Sequence, residues 1–365
     1  MAISVSSTFS ITFVIAGILW RLYCVVLRRR RDSLVAHLHP VQHVQAIFMN
    51  LWFVEFPFIF KHSLEYSFFR SSAIPSISRI MKQSGNLSNN SSKRFDDTDI
   101  ILRELVMHHV DGDRGSVAIR RLNFIHSRYK INNADLLYVL SLLVIEQPDW
   151  ISKYGYRNVT QTEKNACYTI WHDIGVRMGI KNIPASFEGF ALYKQEYEAN
   201  HMLFAKTNTE VGDVIMKLFL TSVPQLFEPL TRRLMYAFMD DRSRKAFGYP
   251  QQPAWLTKFV HSLLKLHGFV VSFLPPRPLS KAELRIPAGC PVSQGPSFDP
   301  GAVRKLSFQQ YAPYVYREGY KLNELGPSKV ACLGDPCPGD LLFPLSMCDN
   351  VPWPVLVLQK PFKAS

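Results

Sequence analysis

Charge is missing where this chain begins. Residues 1–20 carry no charged side chain, and Phe9 to Leu27 is apolar apart from Ser10, Thr12 and Arg21, before the cluster Arg28 to Arg31. Because the basic residues follow the apolar run, the order is not that of a secretory signal peptide, which carries them first. Also lacking are a G-x-S-x-G elbow, a P-loop, a G-x-G-x-x-G after a strand and an H-E-x-x-H pair, so the commonest hydrolase, nucleotide and zinc-protease signatures are excluded. Asp96-Asp97-Thr98-Asp99 does not have the spacing of an aspartate-rich prenyl-diphosphate site, and Asp240-Asp241 stands alone. Six cysteines lie scattered at 24, 167, 290, 332, 337 and 348, without the spacing of a disulfide framework or a structural zinc site. No hairpin or alternating-strand signal is found. The formal charge is +13, but the basic residues are dispersed and no nucleic-acid module accompanies them, which argues against a nucleic-acid partner and for an anionic membrane surface.

What is there first is a span. Residues 5–27 are long enough to cross a bilayer, which takes about 20 residues, and the Arg21 stem is expected to snorkel toward the basic cluster. The positive-inside rule keeps Arg28 to Arg31 cytosolic, placing the N-terminus in the lumen and the following domain in the cytosol. The sequons at Asn86, Asn89, Asn90 and Asn158 are then expected to be unmodified. A membrane-proximal region, 28–92, contains the apolar but interrupted segment Ala46 to Phe60, expected to be interfacial or buried, and a polar loop over Ser84 to Ser92.

Residues 93–278 read as an all-α domain. Helices are expected over Asp97–His108, Ser116–Tyr129, Asp135–Glu146 (ended by Gln147-Pro148), from Thr160 to Met178, and near Phe187–Phe204, Thr209–Leu220, Thr231–Phe238 and Ala254–Val271. Thr160 and Glu163 form a capping-box pattern, and Gly179 is a stop. From 279 to 365 the chain is expected to be an extended tail. His126 follows Leu122 and Ile125, which turns its ring inward; Arg94 and Thr98, four apart, share one helix face. On these features alone, a hydrogen-bonded core histidine, a solvated arginine and a capping hydroxyl suffice.

Read in order, KRFDDTDIILRELV (93–106), DRGSVAIRRLNFIHSRYKINNADLLYVLSLLVIEQPDWISKYGYRNVTQTEKNACYTIWHDIGVRMGI (113–180), YEANHM (197–202) and FGYPQQPAWL (247–256) resemble the fungal MpaB-type oxygenases. That family comprises endoplasmic-reticulum-bound enzymes of mycophenolic acid biosynthesis and their paralogues, distantly similar to bacterial latex-clearing rubber oxygenase. FPFIFKHSLEYSFFRSSAIPSISRIM (56–81) and YREGYKLNELGP (316–327) extend the resemblance, which covers roughly 46–327.

The resemblance implies an all-helical, haem b (iron) oxygenase of the endoplasmic reticulum membrane that splits a C=C bond in a farnesyl-type prenyl side chain with dioxygen. His126 matches the proximal iron ligand, and Arg94 with Thr98 matches the distal R-x-x-x-T word. A neutral imidazole donates to iron, an arginine stabilises negative charge, and a threonine hydroxyl relays a proton. Two features depart from the rubber enzyme's pattern: Asp97 stands where that word has lysine, and the general base is open between Glu65 and Glu104. Residues beyond Pro327 resemble nothing in the family. The alternatives are a non-haem iron site drawing on His108, His109, His172 and His201 with Asp173 or Glu198, and a membrane-tethered scaffold that keeps the fold without the activity.

Overall fold

In a computed structural model, residues 2–39, 42–286, 303–311 and 315–327 are described, without the side chains of 2–11, 13, 88, 89 and 113. Thirteen α-helices occur among the described residues: α1 (Ala2–Ala36), α2 (Val44–Met49), α3 (Pro57–Ser71), α4 (Pro75–Ser84), α5 (Asn86–Met107), α6 (Asp113–Ser127), α7 (Asn133–Tyr154), α8 (Gln161–Arg177), α9 (Phe187–His201), α10 (Lys206–Leu220), α11 (Glu228–Phe238), α12 (Asp241–Phe247) and α13 (Ala254–Ser272). A π-helical segment, Asn50–Glu55, joins α2 to α3. Among the described residues no strand forms, and the only β pairing is the isolated antiparallel bridge of Arg304 with Tyr320.

Apolar side chains organise these helices around two buried clusters. The larger joins α2, the π segment, α3, α5–α8 and the C-terminal segment, with Phe48, Trp52, Phe60 and Trp171 meeting edge-on or stacked at ring separations of 5.4–6.0 Å. The smaller lies between α3, α4, α10 and α12 and contains Phe69, Ile215 and Phe247. Of the two environments expected for Ala46–Phe60, interfacial or buried, the structure shows the buried one for every residue except Phe58, which is exposed. A bend of 100° separates the α2–π unit from α3, where Phe56 leaves helical geometry just before Pro57.

Caps behave as the sequence indicates. Thr160 accepts from the Glu163 N–H, the Glu163 carboxylate accepts from the Thr160 N–H in return, and Gly179 takes the left-handed φ of +73° that ends α8. Three expectations need correction. Pro148 does not end α7: Gln147 and Pro148 are buried and the helix continues to Tyr154, the lost hydrogen bond being offset by burial of Trp150, Ile151 and Tyr154. The polar stretch 84–92 is not a loop; Gly85, at φ +67°, ends α4, and α5 begins at Asn86 with one break at Asn90. Arg21 does not reach toward the basic cluster but donates to the Ser272 carbonyl, beside Trp20 Nε1 to Phe273 O (2.8 Å) and Arg28 to Val271 O and Leu274 O (2.8 and 2.9 Å). The last carbonyls of α13 need donors and attract cations, and α1 supplies both.

Among the described residues no single helix is long and apolar enough to cross a membrane. The span expected over 5–27 falls on α1 and lies partly outside the described side chains.

The region expected as an extended tail has little regular structure, yet where described it is tied to α5. Arg285, fully buried, donates to Asp96 (2.6 Å) and Asp99 (2.7 Å). Tyr316 donates to Asp97, Tyr320 to Glu104, and Lys93 bridges Asp97 (2.8 Å) to the Gly326 carbonyl (2.8 Å). Residues 328–365 lie outside the described residues. Arg285→Met is expected to destabilise the fold by about 3–5 kcal/mol, because it strips a buried cation from two carboxylates; the midpoint and enthalpy of thermal unfolding in detergent check this.

Candidate functional site

Helices α5 and α6 lie side by side, so the Arg94–Thr98 face of one and the Leu122–His126 face of the other open onto one space. That space is a mostly apolar cavity of about 270 Å³, walled also by α3, α4, α7 and α8 and closed on one side by Gln310, Tyr311, Gly326 and Pro327. Arg94, Thr98 and His126, separated in sequence by as many as 32 residues, all line it.

His126 sits in the last turn of α6. Its Nδ1 is buried without a hydrogen-bond partner, and burial, aided by the nearby Arg94 charge, pushes the ring's pKa down to about 4. The imidazole is therefore neutral at physiological pH, the state a metal ligand requires. Arg94 donates to the Thr98 hydroxyl, which itself donates to the Arg94 carbonyl (2.9 Å), and its guanidinium lies 5.6 Å from the Phe68 ring centre. Among the described residues no carboxylate lies within ion-pair distance of Arg94; burial pulls its pKa below the usual value, partly opposed by Asp97. A cation left unpaired in an apolar cavity, with a hydroxyl held against it, suits negative charge that develops during a reaction.

Asp97 does not invert the charge of the site. Lys93 and Tyr316 consume its carboxylate, and it is almost fully buried. The two carboxyls open as general base separate clearly. Glu104 is enclosed by Arg114 (2.8 Å through Nε), His108 (3.3 Å), Arg304 and Tyr320; burial raises its pKa, but Arg114, His108 and Tyr320 together more than offset that and lower it. Glu65 lines the cavity, held by Tyr311 and by His62 (2.7 Å). Sequence reasoning missed Tyr311, Gly326, Pro327 and Trp171, whose Nε1 is also buried without a partner. The Tyr316–Pro327 word contains Gly326 and Pro327 and the 113–180 word contains Trp171, but Tyr311 lies outside every such word.

The histidines of the non-haem alternative are dispersed. His108 belongs to the Glu104 cluster, His172 lies against Tyr168 and Asp173, and His201 against Tyr197. Glu198 is bound by Arg70 through two 2.8 Å bonds. Among the described residues no group of three or more His, Cys, Asp or Glu side chains could hold a metal ion.

The family model described as "ER-bound oxygenase mpaB/B'/Rubber oxygenase, catalytic domain" matches residues 69–270, more than half of the chain and all of α5 to α12. The chain belongs to this family. It is 32% identical over 253 residues to ER-bound oxygenase mpaB' of Penicillium brevicompactum, covering 64% of this chain and 60% of that protein. It is 31% identical over 214 residues to ER-bound oxygenase mpaB of Penicillium roqueforti (54% and 72% covered), and 28% identical over 309 residues to ER-bound oxygenase mpaB of Penicillium brevicompactum (79% and 70% covered). The match to mpaB' thus spans about three-fifths of that relative's length. Arg94, Thr98 and His126 all fall inside the residues that the family model covers.

Metal-free protein is expected to show His126 titrating near pH 4, and Arg94→Met to raise that midpoint, as read by nitrogen-15 shifts of labelled histidine. The sign for stability follows. Between the ordinary histidine value of about 6.5 and about 4 the unfolded chain holds a proton that the native ring refuses, so this site's contribution to stability falls as pH falls through that window.

Proposed function

We propose that the chain is a membrane-bound, haem-dependent oxygenase that cleaves a C=C bond in a farnesyl-type prenyl side chain, in a mycophenolic-acid-like meroterpenoid pathway of the endoplasmic reticulum. The observation that carries the reading is the meeting of a neutral His126 with an unpaired Arg94 and its Thr98 in one apolar cavity. The donor set fits haem: an imidazole with an unpartnered ring nitrogen in a mostly apolar cavity whose carboxylates, Glu65, Asp97, Asp99 and Asp135, are each held by other side chains. His126 would hold the iron, and haem, when bound, supplies the dioxygen chemistry.

The chain's own residues orient and protect. Leu102, Leu136, Val139 and Leu143 present an apolar wall that suits a prenyl chain and excludes water. Arg94 holds fixed positive charge in a medium that screens it poorly, which stabilises anionic character developing on oxygen. Thr98, its hydroxyl proton held by the Arg94 carbonyl, accepts from the Arg94 guanidinium and fixes that cation at the cavity wall. Glu65 is the carboxylate placed to accept a proton, its position fixed by Tyr311. The names of the relatives support attachment to the endoplasmic reticulum, for which the apolar run of α1, with a lumenal N-terminus and a cytosolic domain, is the proposed anchor.

One dioxygen added across one C=C bond yields two carbonyl fragments and needs no further reductant. Purified holoprotein given a farnesylated phenol under ¹⁸O₂ is expected to release two fragments, each carrying one ¹⁸O when trapped quickly by reduction. Intact substrate, or label drawn only from water, would contradict the reading. Arg94→Met is expected to lower turnover by about 10²–10³-fold, as removal of one charge-stabilising donor does elsewhere, with haem content unchanged.

A further inference from the structure

The last long helix, α13, presents an apolar stripe that the rest of the described protein does not cover. Trp255, Phe259, Leu263, Leu266, Phe269 and Val270 are each more than half exposed and recur at helical spacing. The opposite edge is held down: Leu256, Gly268 and Ser272 are buried, and Gly268 allows α13 so close to the end of α7 that a Cβ there would stand 2.2 Å from the Tyr154 carbonyl. The stripe is therefore fixed in orientation. Helix α13 contains no acidic residue, and its exposed lysines, Lys258 and Lys265, flank the stripe.

What covers this stripe is set by α1. Trp20, Arg21, Cys24 and Arg28 all bond the carbonyls of residues 271–274, tying the C-terminal end of α13 to the second half of the apolar run. Arg21 lies six residues before the end of that run at Leu27, roughly 9 Å along a helix rising 1.5 Å per residue. If α1 enters a bilayer with Arg28 to Arg31 at the surface, the end of α13 is carried below the headgroups with it. The apolar residues left exposed on the two helices, such as Ile18 and Leu22 on α1 and Phe269 and Val270 on α13, then meet lipid rather than water.

We infer that α13 is a second membrane-contacting element, its apolar stripe seated in the acyl-chain boundary of a phospholipid bilayer and its lysines at the headgroups. The inference rests on the proposed anchoring by α1. It also accounts for Arg21: a charge within the apolar run is neutralised by the carbonyl end of a helix that enters the membrane beside it. A partly inserted α13 holds the catalytic domain against the membrane in one orientation instead of leaving it on a tether.

The test uses the full chain in phosphatidylcholine–phosphatidylserine vesicles that contain a phosphatidylcholine with a diazirine on its acyl chain. After photolysis, lipid adducts are mapped by mass spectrometry of tryptic peptides. Peptides 259–265 and 266–281 are expected to carry adducts to the same extent as peptide 22–28 of α1, while 182–194, which exposes Leu192 on the body, carries none. Adducts on α1 with α13 at the level of 182–194 would overturn the inference and leave the anchor standing; a second copy or another protein seated on the stripe gives this result. No adducts on either helix would overturn the anchor and the inference together.

Discussion

Buried carboxylates on α5 set the arrangement of everything around the cavity. Asp96, Asp97 and Glu104 are almost or completely shut off from solvent, and Asp99 is largely so. A buried anion left unpaired costs several kcal/mol, so each of these must find a cation or a hydroxyl. Lys93, Arg103 and Arg114 supply part of the answer from nearby sequence. The remainder comes from Arg285, Arg304, Tyr316 and Tyr320, which draw the C-terminal segment across the helix and bring Tyr311, Gly326 and Pro327 to the cavity wall.

Against that background of pairing, Arg94 stands out chemically. It shares α5 with four carboxylates, two of which, Asp97 and Asp99, also line the cavity, yet its own bonds and ring contact go to Thr98 and Phe68. The burial that lowers the pKa of Arg94 also lowers that of His126, and the Arg94 charge adds to it, so the ring stays neutral. One helix thus carries four carboxylates with their charges satisfied and, beside them, one arginine without an ion-pair partner among the described residues. Asp97 lines the cavity too, but Lys93 offsets its charge and Tyr316 donates to it, so an acidic residue next to Thr98 does not invert the charge of the site.

Much of this was legible before the fold was known, and the boundary between what was and was not has a physical cause. Local rules found the all-helical body, the Thr160–Glu163 cap and the Gly179 stop, because each depends on residues within one turn of each other. They also turned His126 inward, through Leu122 and Ile125, and put Arg94 and Thr98 on one face. They failed where distant partners decide. Pro148 stays helical because the residues beyond it are buried in the core. Tyr316 and Tyr320 meet acids more than 200 residues away, and no local pattern announces such a bond. Arg21 looked like a defect in an apolar run until the carbonyls at the end of α13 appeared beside it.

The visible absorption spectrum of the protein extracted from membranes, recorded for the wild type and for His126→Ala, bears most directly on the role assigned to the cavity. An intense haem band in the wild type that shifts or disappears in the variant, with helical content retained in both, is the result expected if His126 holds the iron. Folded wild-type protein without a haem band, or a band that His126→Ala leaves unchanged, would contradict it.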